Sequence, residues 1–78
     1  MWKLPYKTNA DLPKAVIHVL PLHGQDIYRE AFNHAWEEYK DPEKRKTKES
    51  REEVSYKVAW AAVKHRYHKV DGKWEEKT

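Results

Sequence analysis

The sequence contains no cysteine, so neither a disulfide nor a thiolate metal site can hold the fold together. It has only two glycines, Gly24 and Gly72, too few for a glycine-rich loop that cradles phosphates. Long hydrophobic stretches are missing as well. The longest uninterrupted apolar run is residues 58–63, far short of the ~20 residues that a spanning helix needs. The opening residues, Met1-Trp2-Lys3-Leu4-Pro5-Tyr6, carry no hydrophobic core of signal-peptide length. These absences predict no membrane insertion, a cytoplasmic location and no cofactor.

What remains is a chain of 78 residues, enough for one domain over 1–78 and near the lower end of what folds on its own core. Four Trp, five Tyr and one Phe must supply much of the buried surface, since an aromatic side chain buries roughly 150–250 Å². Charged residues make up 37% of the sequence, but they are mixed in sign and leave a net charge of only +3. Such a balance permits attraction to a polyanion without requiring it.

The patterning predicts a mainly α, compact three-helix domain. Asp11 suits an N-cap, with Pro13 tolerated in the first turn, and Leu12, Ala15, Val16, Val19 and Leu20 share one helical face. Pro21 ends that helix, and Gly24 marks a turn or helix entry. A second helix then runs to about Lys40. Its aromatic and aliphatic residues, Ile27, Tyr28, Ala31, Phe32, Ala35, Trp36 and Tyr39, cover half the circumference. That breadth marks a central helix with neighbours on two sides, and Arg29, Glu30, Asn33, Glu37 and Lys40 should face water. Residues 40–50 contain nothing aliphatic or aromatic, so residues 41–49 are expected to form a mobile charged loop. Ser50 and Glu53 give the Ser-x-x-Glu capping pattern of a third helix. Tyr56, Ala59, Trp60, Val63, Tyr67 and Val70 make its apolar arc, and Gly72 is its exit. Trp36, Trp60 and Tyr67 are the expected core anchors. Lys73-Trp74-Glu75 alternates like a strand and is expected to pair with residues 4–7, a small two-stranded sheet formed by the N- and C-terminal segments.

Several groups of side chains invite a functional reading. His65 and His68 stand three apart on the expected third helix, but no further ligands at zinc-site spacing accompany them, and both fit solvent-facing positions. Asp41, Glu43 and Glu49 could contact a divalent cation weakly. They sit among Lys40, Lys44, Arg45, Lys46 and Lys48, whose field repels such an ion, so no metal site is expected. Catalysis has no foothold, because Ser50 and Ser55 read as a cap and an exposed helix position. A basic stripe is sharper. Lys57, Lys64 and His68 lie beside the third helix's apolar arc, next to Lys44, Arg45, Lys46 and Lys48 of the loop, and could contact a protein partner or a polyanion. Glu49, Glu52 and Glu53 interrupt that stripe.

The order of short motifs resembles the ChaB family of cation-transport regulators. Pro5-Tyr6-Lys7, Asp11-Leu12-Pro13, Leu20-Pro21, Gln25-Asp26-Ile27-Tyr28 and Ala31-Phe32-Asn33-His34-Ala35-Trp36 carry the first half of the likeness. Ser50-Arg51-Glu52-Glu53, Lys57-Val58-Ala59-Trp60-Ala61-Ala62-Val63-Lys64, Tyr67 and Lys73-Trp74 carry the second, so it spans roughly residues 5–75. The resemblance implies three helices with a small sheet, and association with a sodium or calcium/proton antiporter or a protein acting on it. It also implies that DNA binding, weak and not sequence-specific, is the alternative, since some relatives are described as resembling DNA-binding domains. It brings no catalytic or ligand residues to carry over. The lysine-rich loop departs from what cation sensing would favour, and Trp2-Lys3-Leu4 stands outside the shared pattern.

Overall fold

The computed structural model describes residues 5–45 and 48–77. Lys46 and the Trp2-Lys3-Leu4 segment lie outside the described residues. Three α-helices, α1 (Lys14–Val19), α2 (Leu22–Glu38) and α3 (Arg51–Arg66), are followed by an antiparallel hairpin of β1 (Tyr67–Val70) and β2 (Lys73–Glu76). Short 3-10 turns at Asn9–Asp11 and Pro42–Lys44 precede α1 and bridge α2 to α3.

The first helix starts later than the Asp11 cap would place it. Asp11 instead closes the preceding turn, its carboxylate accepting hydrogen bonds from the Lys7 and Thr8 backbone N–H groups at 3.2 and 3.1 Å. Pro13 stands just before α1, where its missing N–H costs nothing. Pro21 both ends α1 and opens α2, so Gly24 lies inside the first turn of α2 rather than at its entry. There it is buried, and a Cβ at that position would come within 3.3 Å of Leu20 Cδ2. Gln25 Nε2 completes the corner by donating to the Leu20 carbonyl at 2.8 Å. That satisfies one of the acceptors that a helix end leaves open.

The core joins Leu12, Val16 and Leu20 to Tyr28 and Phe32 of α2, Ala59 and Val63 of α3, and Tyr67. Helices α2 and α3 pack on each other, and the small residues Ala35 of α2 and Ser55 and Ala59 of α3 are buried. Two expected surface positions are buried here. Ser55, expected to be exposed, has no solvent access. Its hydroxyl donates to the Arg51 carbonyl at 2.8 Å, and that bond makes its burial tolerable. Asn33, expected to face water, is also buried. Its amide pairs in both directions with the Tyr6 backbone, 27 residues away, donating at 2.7 Å and accepting at 3.2 Å.

The two-stranded sheet is present, but with a different pairing. Lys73–Glu76 pairs with Tyr67–Val70, in the register Tyr67↔Glu76 and Lys69↔Trp74, and not with residues 5–7, while Leu4 lies outside the described residues. Residues 5–7 are held to α2 by Asn33 instead. Helix α3 therefore ends at Arg66, four residues before Val70. The turn is Asp71-Gly72, with φ of 50° and 81°. Left-handed backbone at both positions suits a two-residue hairpin turn and the right-handed twist of its strands.

Candidate functional site

One face of α3 lies in the core, and the adjoining face is open. Ser50 Oγ accepts from the Glu53 N–H at 3.1 Å, which fixes the start of α3. Arg51 ties that start to the end of α2. Its Nε donates to the Trp36 carbonyl at 2.6 Å, and its guanidinium lies 4.0 Å from the centroid of the Trp36 ring. With α3 held in this rotation, Ser55, Ala59 and Val63 meet α2. Tyr56, Trp60 and Lys64 look toward α1 and the hairpin.

Because α1 is only six residues long, about 9 Å at the usual rise, it covers little of the 16-residue α3. The space left is a groove with two compartments, about 460 and 680 Å³ in volume, that share Ala15, Tyr56 and Trp60. The smaller is walled by Tyr6, Val16, Tyr28 and Phe32, with Ser50, Glu52 and Glu53 at its edge. The larger is walled by Val19, Ala61 and Trp74, with Lys57, Lys64 and Lys69 at its edge.

Aromatic rings make the floor. The Trp60 ring stacks on Trp74 at 5.4 Å between centroids and meets Tyr28 edge-on at 5.3 Å. Its Nε1–H is enclosed and meets no hydrogen-bond partner among the described residues. Tyr56, 52% exposed, stands above it as the divider between compartments. Burial raises the Tyr28 hydroxyl pKa well above the ordinary phenol value, with Tyr6, Tyr56 and the Glu52 carboxylate adding to the effect. Tyr6 is raised by burial and then by Glu52. The smaller compartment is thus lined by neutral phenols beside a carboxylate.

The cations at the other end differ in their commitments. Lys57 Nζ donates to the Glu49 carboxylate, and that hydrogen bond, with the accompanying charge attraction, raises its pKa. Lys69 lies across the Trp74 ring at 5.7 Å. Lys64 is exposed and has no ion pair among the described residues. Of the loop cations, Arg45 donates through Nε to the Tyr39 carbonyl at 2.9 Å, while Lys44 and Lys48 are exposed. The acidic trio is also engaged locally or dispersed. Asp41 caps the 3-10 turn by accepting from the Glu43 N–H at 3.0 Å, and Glu49 meets Lys57. Among the described residues no three His, Asp or Glu side chains come together as a metal site. His68 lies on β1, so it is not the helical neighbour of His65.

The three expected anchors occupy different depths. Tyr67 is buried, whereas Trp36 and Trp60 are partly exposed and pack on the rim of the core. Lys57 and Lys64 of this groove stand out in the sequence as part of a basic stripe, whereas Lys69, Trp74, Tyr56 and Val19 carry no such signal of a shared surface. Asp71-Gly72 was the available signal. Read as a hairpin turn, it places Lys69 and Trp74 opposite each other and next to α3.

No helix among the described residues is long and apolar enough to cross a membrane. The sequence pattern that defines the ChaB family matches residues 12–77. The chain is 62% identical over 76 residues to the protein named "Putative cation transport regulator ChaB" of Escherichia coli (strain K12), an alignment covering 96% of this chain and all of that one. The same identity and coverage hold for the ChaB of Shigella flexneri. The NMR solution structure of a ChaB protein, 63% identical, superposes with a TM-score of 0.79 over 95% of this chain and 100% of that one. This chain belongs to the ChaB family.

Proposed function

We propose that this chain is a non-catalytic regulator of cation transport that works by binding a cation/proton antiporter, for sodium or calcium, or a protein acting on it. The observation that carries the proposal is the groove between α1, α3 and the hairpin. It is an open, aromatic-floored surface on a small domain, with lysines at its edge. Surfaces of that kind serve contact with another macromolecule. The full-length relatives carry the name of cation transport regulators, which supplies the process. The protein acts on the cytoplasmic side, where an antiporter exposes its loops.

A direct test uses everted membrane vesicles from cells that express one such antiporter and lack their own copy of this protein. Sodium- or calcium-driven proton exchange is followed with and without the purified chain. A saturable change in rate supports the proposal, and identical rates at all concentrations reject it. The second reading, weak and non-specific DNA contact, draws on Lys57, Lys64 and Lys69 sharing one edge of the groove. It requires duplex affinity that falls steeply with added salt.

A further inference from the structure

The charges around the groove are segregated. Glu52 and Glu53 border the compartment at the N-terminal end of α3, and Lys57, Lys64 and Lys69 border the one toward its C-terminal end and the hairpin. Between them the floor is continuous, because Tyr56 and Trp60 belong to both compartments. At the carboxylate end Glu52 and Glu53 are exposed and share the compartment wall with Tyr6 and Tyr28. The cationic end keeps charge to offer. Among the described residues Lys64 has no ion pair, and Lys69 has none either and lies over the face of the Trp74 ring.

We infer that the groove's occupant is a bipolar amphipathic segment of a partner protein. It carries basic residues over Glu52 and Glu53, acidic residues over Lys64 and Lys69, and two apolar anchors between them, one per compartment. This inference rests on the proposed regulatory role and specifies the partner's chemistry. Complementary potentials are how an interface selects partner and register, and like charges at either end reject the wrong one. A polyanion such as DNA carries the same charge along its whole length. It gains at Lys64 and Lys69 but meets Glu52 and Glu53 if it follows the groove, so the segregation favours a peptide. The compartments, at about 460 and 680 Å³, are each within the range that accepts one or two large side chains.

The test uses a synthetic amphipathic helical peptide with leucine and tryptophan anchors, glutamates at one end and lysines at the other. Two companions have either the glutamates or the lysines replaced by glutamine, and a short DNA duplex is the fourth probe. Binding is followed by amide shifts and by the indole N–H signals of Trp60 and Trp74. The bipolar peptide should bind tightest, and neutralising either end should weaken it about threefold to tenfold, the size of one or two exposed charge pairs. The double variant K64E/K69E should weaken the bipolar and the lysine-neutralised peptides equally, while leaving the glutamate-neutralised peptide's affinity unchanged or improved. E52Q/E53Q should do the reverse.

Equal affinities across the series, or an equal loss for all three peptides in K64E/K69E, would overturn the inference. So would a duplex that outcompetes the bipolar peptide at the same indole signals. Indole shifts that follow protein concentration alone, together with sedimentation as a dimer, would place a second copy in the groove and equally overturn it. The peptide series and the vesicle assay fail separately. A flat series removes the polarity even where exchange rates respond, and unresponsive vesicles remove the regulatory role even where the series is polar.

Discussion

Helix α3 has two working faces that use aromatic residues in opposite ways. Toward α2 it presents Ser55, Ala59 and Val63, all without solvent access, and the large rings there, Tyr28 and Phe32, come from the partner helix. Small residues on one side and large ones on the other let the backbones approach and the surfaces interlock. Toward α1 and the hairpin it presents Tyr56 and Trp60, whose neighbour is too short to cover them. The first face closes the core, and the second is left as a groove bordered by charge. Trp60 and Trp74 are left partly exposed there, and Tyr56 is 52% exposed.

The contrast predicts a steep gradient in the effects of substitution. Truncating the seam should cost most. Tyr28→Ala removes a ring that is 1% exposed, a change worth about 3–5 kcal/mol. A domain of this size has about 5–10 kcal/mol in hand, so urea denaturation should show a variant at or near the edge of folding. Trp60 opens on the groove but also packs edge-on against Tyr28 of α2, so it should fall just below. Trp60→Ala is expected to cost about 3 kcal/mol, with its melting curve well separated from that of the parent. A melt within a few degrees of the parent would show that Trp60 serves the groove alone.

Alkaline pH should attack the core side selectively. The hydroxyl pKa values of Tyr6, Tyr28 and Tyr67 are all raised in the folded chain, in each case first by burial. A raised pKa means that the unfolded chain releases these protons first. The contribution to stability is therefore whole below the unfolded value of about 10 and is lost as pH climbs through the folded values. Phenolate absorbance should lag that of a model tyrosine above pH about 10, then appear together with cooperative unfolding. Titration of all five tyrosines at the ordinary value, with the fold intact, would contradict the burial of these three.

The hairpin, which supplies Trp74 and Lys69 to the groove, depends on its turn. Gly72 sits at φ 81°, where a side chain is strained even with open space around it. Gly72→Ala should cost about 1 kcal/mol and shift the Trp74 indole signal while leaving that of α2's Trp36 in place. Movement of both would mean that the hairpin and the α2/α3 seam act as one unit.

That turn also marks where the sequence could be read and where it misled. Three helices were legible because Pro21, the Ser50-x-x-Glu53 cap and the broad apolar face of α2 are local signals. The strand at Tyr67–Val70 was hidden because Tyr67 and Val70 continue the helical spacing of Tyr56, Trp60 and Val63, so periodicity alone extended α3. Asp71-Gly72 argued for a hairpin, and it was the stronger clue. Asn33 and Ser55 could not be placed from pattern. Their burial depends on hydrogen bonds, one reaching across 27 residues to Tyr6 and one back to Arg51, and polar residues on an amphipathic helix otherwise read as surface. Within the groove, Lys57 and Lys64 were visible as a stripe. The aromatic floor emerged only once α1 proved too short to cover it.

The smallest stability effect belongs to the groove's edge, and it gives the most direct test of the central claim that this face exists for contact. The variant Tyr56→Ala/Lys64→Glu changes two exposed positions, and such changes together shift stability by about 1 kcal/mol or less. Its melting curve and the rate of antiporter-driven proton exchange in everted vesicles should be measured side by side with those of the parent. The account predicts a melt close to that of the parent and loss of the parent's effect on exchange. A folded variant that regulates exchange as fully as the parent would contradict it.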